Sequence, residues 1–146
     1  TAEKFVGKFI LNFFRCDMGV RNRLVLENED KGFWTCSNLY DYFHNYRKQV
    51  YNFHFPLTYD NLHDTANPSI LPDGSIVPFE KNFIRFFQTW SVPPVFHWSE
   101  AEVGTKRNHA KNLTTAPPDM GLDVTWEIEV KGKDKAFIHL IKRLHN

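Results

Sequence analysis

The sequence predicts one α+β domain over residues 1–146, with about three helices, a small and mostly antiparallel sheet, and a long irregular arm. Three observations lead to this fold class. Apolar residues recur at helical spacing in separate segments, they alternate in strand fashion in others, and residues 99–121 turn polar over a length that compact domains rarely leave irregular. A chain of 146 residues can bury a core of its own.

The first half supplies two of the predicted helices. Residues 2–16 repeat apolar side chains every three or four positions, with basic residues opposite, which predicts an amphipathic helix. Residues 20–34 alternate around the turn-like sequence NEDKG and predict a β-hairpin. Ser37 or Asn38 can cap a second helix, which Pro56 ends.

The second half supplies the third helix and the clearest strand. Residues 56–78 are rich in turn signals and predict loop structure. Pro78 suits the first position of a helix that ends before Pro93, and an extended segment follows it. Residues 122–130, LDVTWEIEV, alternate strictly and predict a strand, and the remaining tail favours a short helix over a returning strand.

Composition excludes several classes of function. The net charge of +1 argues against a strongly basic nucleic-acid-binding domain, and no apolar run is long enough to cross a membrane. No glycine-rich phosphate loop and no zinc-type cysteine spacing occurs, so the sequence predicts no cofactor.

Two local groups contain residues with chemical potential. In YDNLHD, the residues Asp60, His63 and Asp64 have metal-like spacing, but the surrounding prolines predict a loop in which such residues serve as caps, so no metal is predicted. In FHWSE, His97 is a candidate general base with Glu100 as its orienting carboxylate. We interpret His97 instead as an outward-facing residue of a strand.

Two other segments have patterns that are compatible with nucleic-acid or membrane contact. Lys106, Arg107 and Lys111 are candidates for phosphate contact, with nucleic acid expected only inside a larger particle; the simpler interpretation is a solvated loop. Residues 2–16 allow peripheral membrane contact, although a core-facing helix explains the same pattern.

The main functional hypothesis comes from the 16% aromatic content. Aromatic residues beyond the needs of one core are typical of docking surfaces. We therefore predict a non-catalytic structural or accessory subunit that docks into a larger protein assembly. The predicted ligand- or partner-binding residues are Phe87, Trp90, Phe96, Trp98, Tyr42, Tyr46 and Arg47.

Two alternatives stay open. The first is a secreted, glycosylated ligand-binding domain with a disulfide between Cys16 and Cys36 and a glycan on Asn112. The second is a small hydrolase or metal-dependent enzyme with a His/carboxylate site, either His97 with Glu100 or Asp60 with His63. A start at Thr1 fits removal of a leader or an initiator methionine, and we expect an intracellular, organellar location rather than an extracellular one.

Overall fold

The computed structural model describes residues 2–46 and 55–144, and for residues 2–4 and 46 it describes the backbone alone. The elements in chain order are α1 (Ala2–Arg15), α2 (Met18–Arg21), β1 (Leu26–Glu27), α3 (Cys36–Leu39), a π-helical segment (Tyr40–Tyr46), β2 (Leu57–Thr58), α4 (Asn61–Ala66), α5 (Phe79–Phe87), β3 (Val95–Trp98), β4 (Thr125–Ile128) and α6 (Lys133–Leu144). The predicted mixture of helices and strands is confirmed.

The four strands lie in chain order, and neighbouring strands run parallel. β1 pairs with β2, and β3 pairs with β4. A parallel bridge between Asp60 and His97 joins the two pairs, and the His97 amide donates to the Tyr59 carbonyl at 2.8 Å. Because parallel strands present their carboxyl ends at one edge, residues that follow the strands gather there.

The predicted antiparallel sheet is wrong for the strands described. Residues 20 and 21, at the start of the expected hairpin, belong to α2, in which the Asp17 side chain caps the helix by accepting from the Val20 amide. β1 pairs with the distant β2 instead of folding back on a neighbour. Alternation reports that one face of a strand is buried, and it carries no information on the direction of the partner strand.

The helical predictions fare better, with differences at their ends. α1, α5 and α6 lie where the sequence placed helices. The second helix begins at Cys36 with Thr35 as its cap, passes into the π-helical segment, and its continuation toward Pro56 lies outside the described residues. The expected loop 56–78 contains β2 and α4.

The main core is built of aromatic rings in edge-to-face contact. Phe96 of β3 is fully buried, and its ring centroid lies 5.4 Å from that of Phe83 and 6.0 Å from that of Trp126. Tyr59, also buried, lies 6.1 Å from Phe96. Such geometry pairs the positive edge of one ring with the negative face of another. Helix α5 is thereby fixed against β3 and β4.

The polar segment 99–121 is irregular, as predicted, and it is fastened to the domain. Leu113 is fully buried in a second apolar cluster with Val130, Ala136 and Leu140. The backbone amide of Lys131 donates to Ala110 at 3.0 Å. The segment is therefore part of this domain and does not extend from it as a free arm.

Among the described residues, no helix combines the length and the apolar character that crossing a bilayer requires. Val6 and Phe13 of α1 pack in the main core, whereas Phe5 and Phe14 of the same apolar face are exposed, and peripheral membrane contact stays a prediction.

Candidate metal centre

Five charged or titratable side chains meet at the carboxyl ends of the four strands. Glu27 is the last residue of β1, Asp60 is the N-cap of α4, and His63 lies one turn into that helix. His97 lies within β3, and Glu129 directly follows β4. The parallel order of the strands thus brings together three carboxylates and two imidazoles that are far apart in sequence.

His97 lies between the three carboxylates. Its Nδ1 is 2.9 Å from Glu27 Oε1, 3.4 Å from Glu129 Oε1 and 3.8 Å from Asp60 Oδ2. On the other side of Asp60, His63 Nε2 lies 4.0 Å from Asp60 Oδ2. The oxygen and nitrogen atoms are therefore close enough to share one or two small ions.

Two overlapping groups have the spacing of metal ligands. Glu27, Asp60 and His63 form one, and Asp60, His97 and Glu129 form the other; within each, the candidate ligand atoms lie within 4.8 Å of one another. Mixed carboxylate and imidazole donors suit Mn²⁺, Fe²⁺ and Zn²⁺. Asp60 belongs to both groups and is the natural bridge between them.

Asp60 supplies the direct test of whether a cation fits. The residue is fully buried, and its Oδ1 accepts from the His63 amide at 2.8 Å. Its Oδ2 is buried without a hydrogen-bond partner among the residues that the structure describes. Burying a carboxylate oxygen without a partner is costly, and a bound cation removes that cost. The donor set therefore fits a divalent metal ion.

The pKa values reflect the crowded charges. Burial raises the pKa of the Asp60 carboxyl, although the His63 amide opposes the rise. The hydrogen bond to Glu27 raises the pKa of His97 to about 9, against burial, which lowers it. Burial alone would raise the pKa of Glu27, but the hydrogen bond and charge of His97 hold it below its ordinary value. Without a metal, a proton on His97 balances the carboxylates.

A third histidine adjoins the cluster. His109 Nδ1 lies 2.9 Å from the Glu129 carbonyl oxygen, which accepts only, so this nitrogen donates. His109 Nε2 then faces the Glu129 carboxylate at 3.7 Å. A cleft of about 800 Å³ opens beside these residues, and Arg107, Lys131 and Lys133 are among its lining.

The structure divides the metal candidates taken from the sequence. Asp60 and His63 lie in the cluster, whereas Asp64 accepts from the Tyr59 hydroxyl at 2.8 Å and from the Asn82 amide at 3.1 Å. No metal was predicted here because the surrounding prolines indicated a loop. The segment forms α4 instead, which holds Asp60 and His63 together at its start.

The predicted pair of His97 and Glu100 is not formed. Glu100 accepts from the amide of Thr115 at 2.7 Å and from the amide of Thr114 at 2.9 Å, so it fastens the 99–121 segment. The carboxylate that orients His97 is Glu27. His97 is also partly buried and turned into the cluster, contrary to the expectation of an outward-facing residue.

The predicted binding residues serve mainly in packing. Phe96 is fully buried, Phe87, Trp90 and Tyr42 pack against the same core, and Trp98 packs against the second cluster. Trp90 also donates its ring N–H to the Leu57 carbonyl at 2.7 Å. Arg47 and the side chain of Tyr46 lie outside the described residues. The helical and strand spacing predicted correctly that these rings face the core. Little of their surface is therefore exposed to a ligand.

The predicted disulfide is absent, because Cys16 and Cys36 are both free. Cys16 follows α1 and its thiol donates to the Asn12 carbonyl, while Cys36 is buried in the main core, where burial raises its thiol pKa. Asn112 is exposed, and its glycosylation stays a prediction.

The basic candidates are exposed on the 99–121 segment: Lys106, Arg107 and Lys111. Arg107 is held in place, since its Nε donates to the Asp30 carbonyl at 3.1 Å. Phosphate contact by these three residues stays a prediction.

Sequence reasoning missed Glu27, His109 and Glu129. A signal was present, because both glutamates come where a strand-like run ends, in LVLEN and WEIEV. Recognising it required parallel strands, whose carboxyl ends share an edge. The predicted hairpin placed these ends apart.

Fold and site together define a parallel β/α domain with a carboxylate and histidine cluster at the carboxyl edge of its strands. The chain belongs to the UV-endonuclease UvdE family, whose family model matches residues 2–146. It is 29% identical over 146 residues to the UV-damage endonuclease of Neurospora crassa, an alignment that covers 92% of this chain and 21% of that protein.

A solved structure shares the fold. The crystal structure of SacUVDE superposes with a TM-score of 0.70 at 23% identity, over 98% of this chain and 46% of that one. The chain therefore spans about a fifth of the length of the Neurospora relative and about half of the SacUVDE chain.

Membership of an endonuclease family corrects the main functional prediction. A non-catalytic structural subunit in a protein assembly is wrong, and the alternative of an enzyme with a His/carboxylate site is the better supported of the original hypotheses. The high aromatic content did not distinguish the two cases, because an aromatic-rich core and a docking surface have the same composition.

Proposed function

We propose that this chain forms a divalent-metal centre for cleaving the phosphodiester backbone of ultraviolet-damaged DNA. The observation that carries the proposal is the convergence of Glu27, Asp60, His63, His97 and Glu129 around a buried oxygen of Asp60 that lacks a hydrogen-bond partner among the described residues. The family description and the name of the Neurospora relative supply the reaction and the substrate.

The position of the cluster supports the same function. Helices follow β1, β2 and β4, and parallel strands in chain order with such helices are the units of β/α barrels, whose active sites lie at the carboxyl ends of the strands. We propose that the four strands form part of such a barrel, so that the cluster lies at its catalytic end. Glu27, Asp60, His63, His97 and Glu129 would hold the metal.

A bound divalent cation supplies Lewis-acid stabilisation of the phosphate and a water of lowered pKa. The chain itself binds and orients the substrate. Arg107, Lys131 and Lys133 line the cleft beside Glu129, where positive charge complements a phosphate backbone. His109 Nε2 lies 3.7 Å from the Glu129 carboxylate, at the edge of this cleft.

Metal binding is the first test, because the five candidate ligands all lie within this chain. We expect the full chain to bind Mn²⁺ in a calorimetric titration, and we expect Asp60→Asn to weaken binding by more than about 100-fold, since outer-shell changes alone cost up to that much. Glu80→Gln, an exposed change on α5, is the matched control and keeps the affinity of the wild type.

Nicking of supercoiled plasmid tests the reaction. We expect nicks in ultraviolet-irradiated plasmid with Mn²⁺, and none with EDTA or with unirradiated plasmid. Cleavage that persists in EDTA, or a wild-type chain that fails to bind Mn²⁺, would show that the cluster is not a metal centre.

A further inference from the structure

Two asparagine side chains continue the pairing of the strands beyond the point where the strands end. Asn28 directly follows β1; its Nδ2 donates to the Asp60 carbonyl at 3.0 Å, and its Oδ1 accepts from the Asp60 amide at 2.9 Å. Asn61 repeats the arrangement one strand further on. Its Nδ2 donates to the Ser99 carbonyl and its Oδ1 accepts from the Ser99 amide, both at 2.8 Å.

The side-chain amide is the chemical group that this arrangement requires. It carries a donor and an acceptor side by side, as a backbone peptide does, and so it satisfies both groups of the residue opposite. Asn28 is only 1% exposed, so water does not replace it. Aspartate lacks the donor, and leucine lacks both groups.

Each of these amides joins two of the candidate metal ligands. Asn28 lies next to Glu27 and holds the backbone of Asp60 on both sides. Asn61 lies next to Asp60 and holds Ser99, two residues after His97. Two side chains that are not candidate ligands therefore help to fix the spacing of Glu27, Asp60 and His97, together with the backbone bridge between Asp60 and His97.

Asn28 also fixes the ring of His63. The Nδ1 of His63 lies 2.8 Å from the Asn28 carbonyl oxygen. A carbonyl only accepts, so Nδ1 carries a hydrogen in this contact and Nε2 is the ring nitrogen left to face the cluster. His63 Nε2 lies 4.0 Å from Asp60 Oδ2, on the side of the ring that faces the candidate metal centre.

We propose that Asn28 and Asn61 are positioning residues of the metal centre, which set the spacing of Glu27, Asp60 and His97 and, in the case of Asn28, the tautomer of His63. This inference rests on the proposed function, because it assigns the amides to a centre that binds metal. Neither asparagine is among the candidate ligands of the cluster.

The test compares three substitutions in the full chain by Mn²⁺ titration and urea unfolding. Asn28→Ala and Asn61→Ala are each expected to weaken Mn²⁺ binding by ~10–100-fold, the range for outer-shell partners of metal ligands. Thr89→Val is the matched control. Thr89 is as buried as Asn28, and at the opposite end of β2 its hydroxyl accepts from the Leu57 amide at 2.9 Å and donates to the Phe86 carbonyl at 2.7 Å. It is expected to lower stability and leave Mn²⁺ affinity unchanged.

A second measurement needs neither a variant nor a metal. Nitrogen-15 NMR of the metal-free wild type is expected to show His63 protonated at Nδ1. Protonation at Nε2 instead would overturn the inference, as would Mn²⁺ binding of wild-type strength in both alanine variants. A wild type that binds no Mn²⁺ would refute the proposed function itself, which is a separate result from unchanged affinity in the variants.

Discussion

Replacing Asp60 with asparagine is expected to change stability in opposite directions with and without metal. Asp60 is fully buried, and its Oδ2 lacks a hydrogen-bond partner among the described residues. Asparagine keeps the shape and the capping oxygen that accepts from His63, and it ranks with aspartate as an N-cap. Its amide also brings a donor toward Glu27 and Glu129.

The magnitudes follow from the structure. A buried polar group left without a partner costs about 1–3 kcal/mol, so the metal-free Asp60→Asn chain should gain about 1–2 kcal/mol in its free energy of unfolding. At a metal concentration of about 100 times the wild-type Kd, binding stabilises the wild type by about 2.7 kcal/mol. A variant that binds about 100-fold more weakly gains only about 0.4 kcal/mol, so the wild type becomes the more stable by roughly 0.3–1.3 kcal/mol.

The assay is urea unfolding followed by circular dichroism, once in EDTA and once in Mn²⁺. The expected result is a reversal of the order of stability between the two conditions. If the variant is the less stable protein in EDTA, then Oδ2 is satisfied within the protein and the argument for a cation fails. Equal stabilisation of both chains by Mn²⁺ would place the metal elsewhere.

Three further predictions concern the arm and the core. Burial acts to raise the pKa of the Glu100 carboxyl, but the hydrogen bonds that it accepts from Thr114 and Thr115 hold this pKa below its ordinary value. The stabilisation of the fold by these bonds is therefore present above about pH 4.3, the unfolded pKa, and is lost as the pH falls through the lower folded pKa. Backbone amide hydrogen exchange in the 99–121 segment should therefore become faster in acid, compared with the intrinsic rates of an unfolded chain at the same pH. Glu100→Gln should remove this pH dependence, whereas the control Glu102→Gln should keep it. Phe96→Ala should lower the unfolding free energy by about 3–5 kcal/mol in urea titrations, because the ring is fully buried, and a loss under 1 kcal/mol would contradict its place in the core. Gly132→Ala should cost about 1–3 kcal/mol in the same assay, because a Cβ there would approach the Lys111 carbonyl too closely, and unchanged stability would show that the turn yields freely.

Only some residues of the site could be predicted from the sequence, and the geometry of the site shows why. Asp60 and His63 lie three positions apart, so local spacing was enough to mark them as a candidate pair. Glu27 ends the first of the four strands and Glu129 directly follows the last, and only the pairing of those strands brings both to His97. Sequence distance hides such a cluster, because its members share an edge of the sheet and no local motif.

Asn28 and Asn61 illustrate a further limit. Both are ordinary polar residues after strand-like runs, where asparagine is common in turns. Their bonds to Asp60 and Ser99 depend on two neighbouring strands ending side by side. No pattern within one strand contains that information.

Local patterns in the sequence determined where the main helices lie, which rings face the core, and that residues 99–121 stay irregular, because these properties follow from apolar spacing within a segment. The tertiary structure alone decided that the strands are parallel, that Asp60 and His63 lie on a helix rather than a loop, and that three carboxylates meet around His97. The physical reason is that strand direction and long-range pairing are set by how whole segments pack together, whereas periodicity records only which side of each segment is buried.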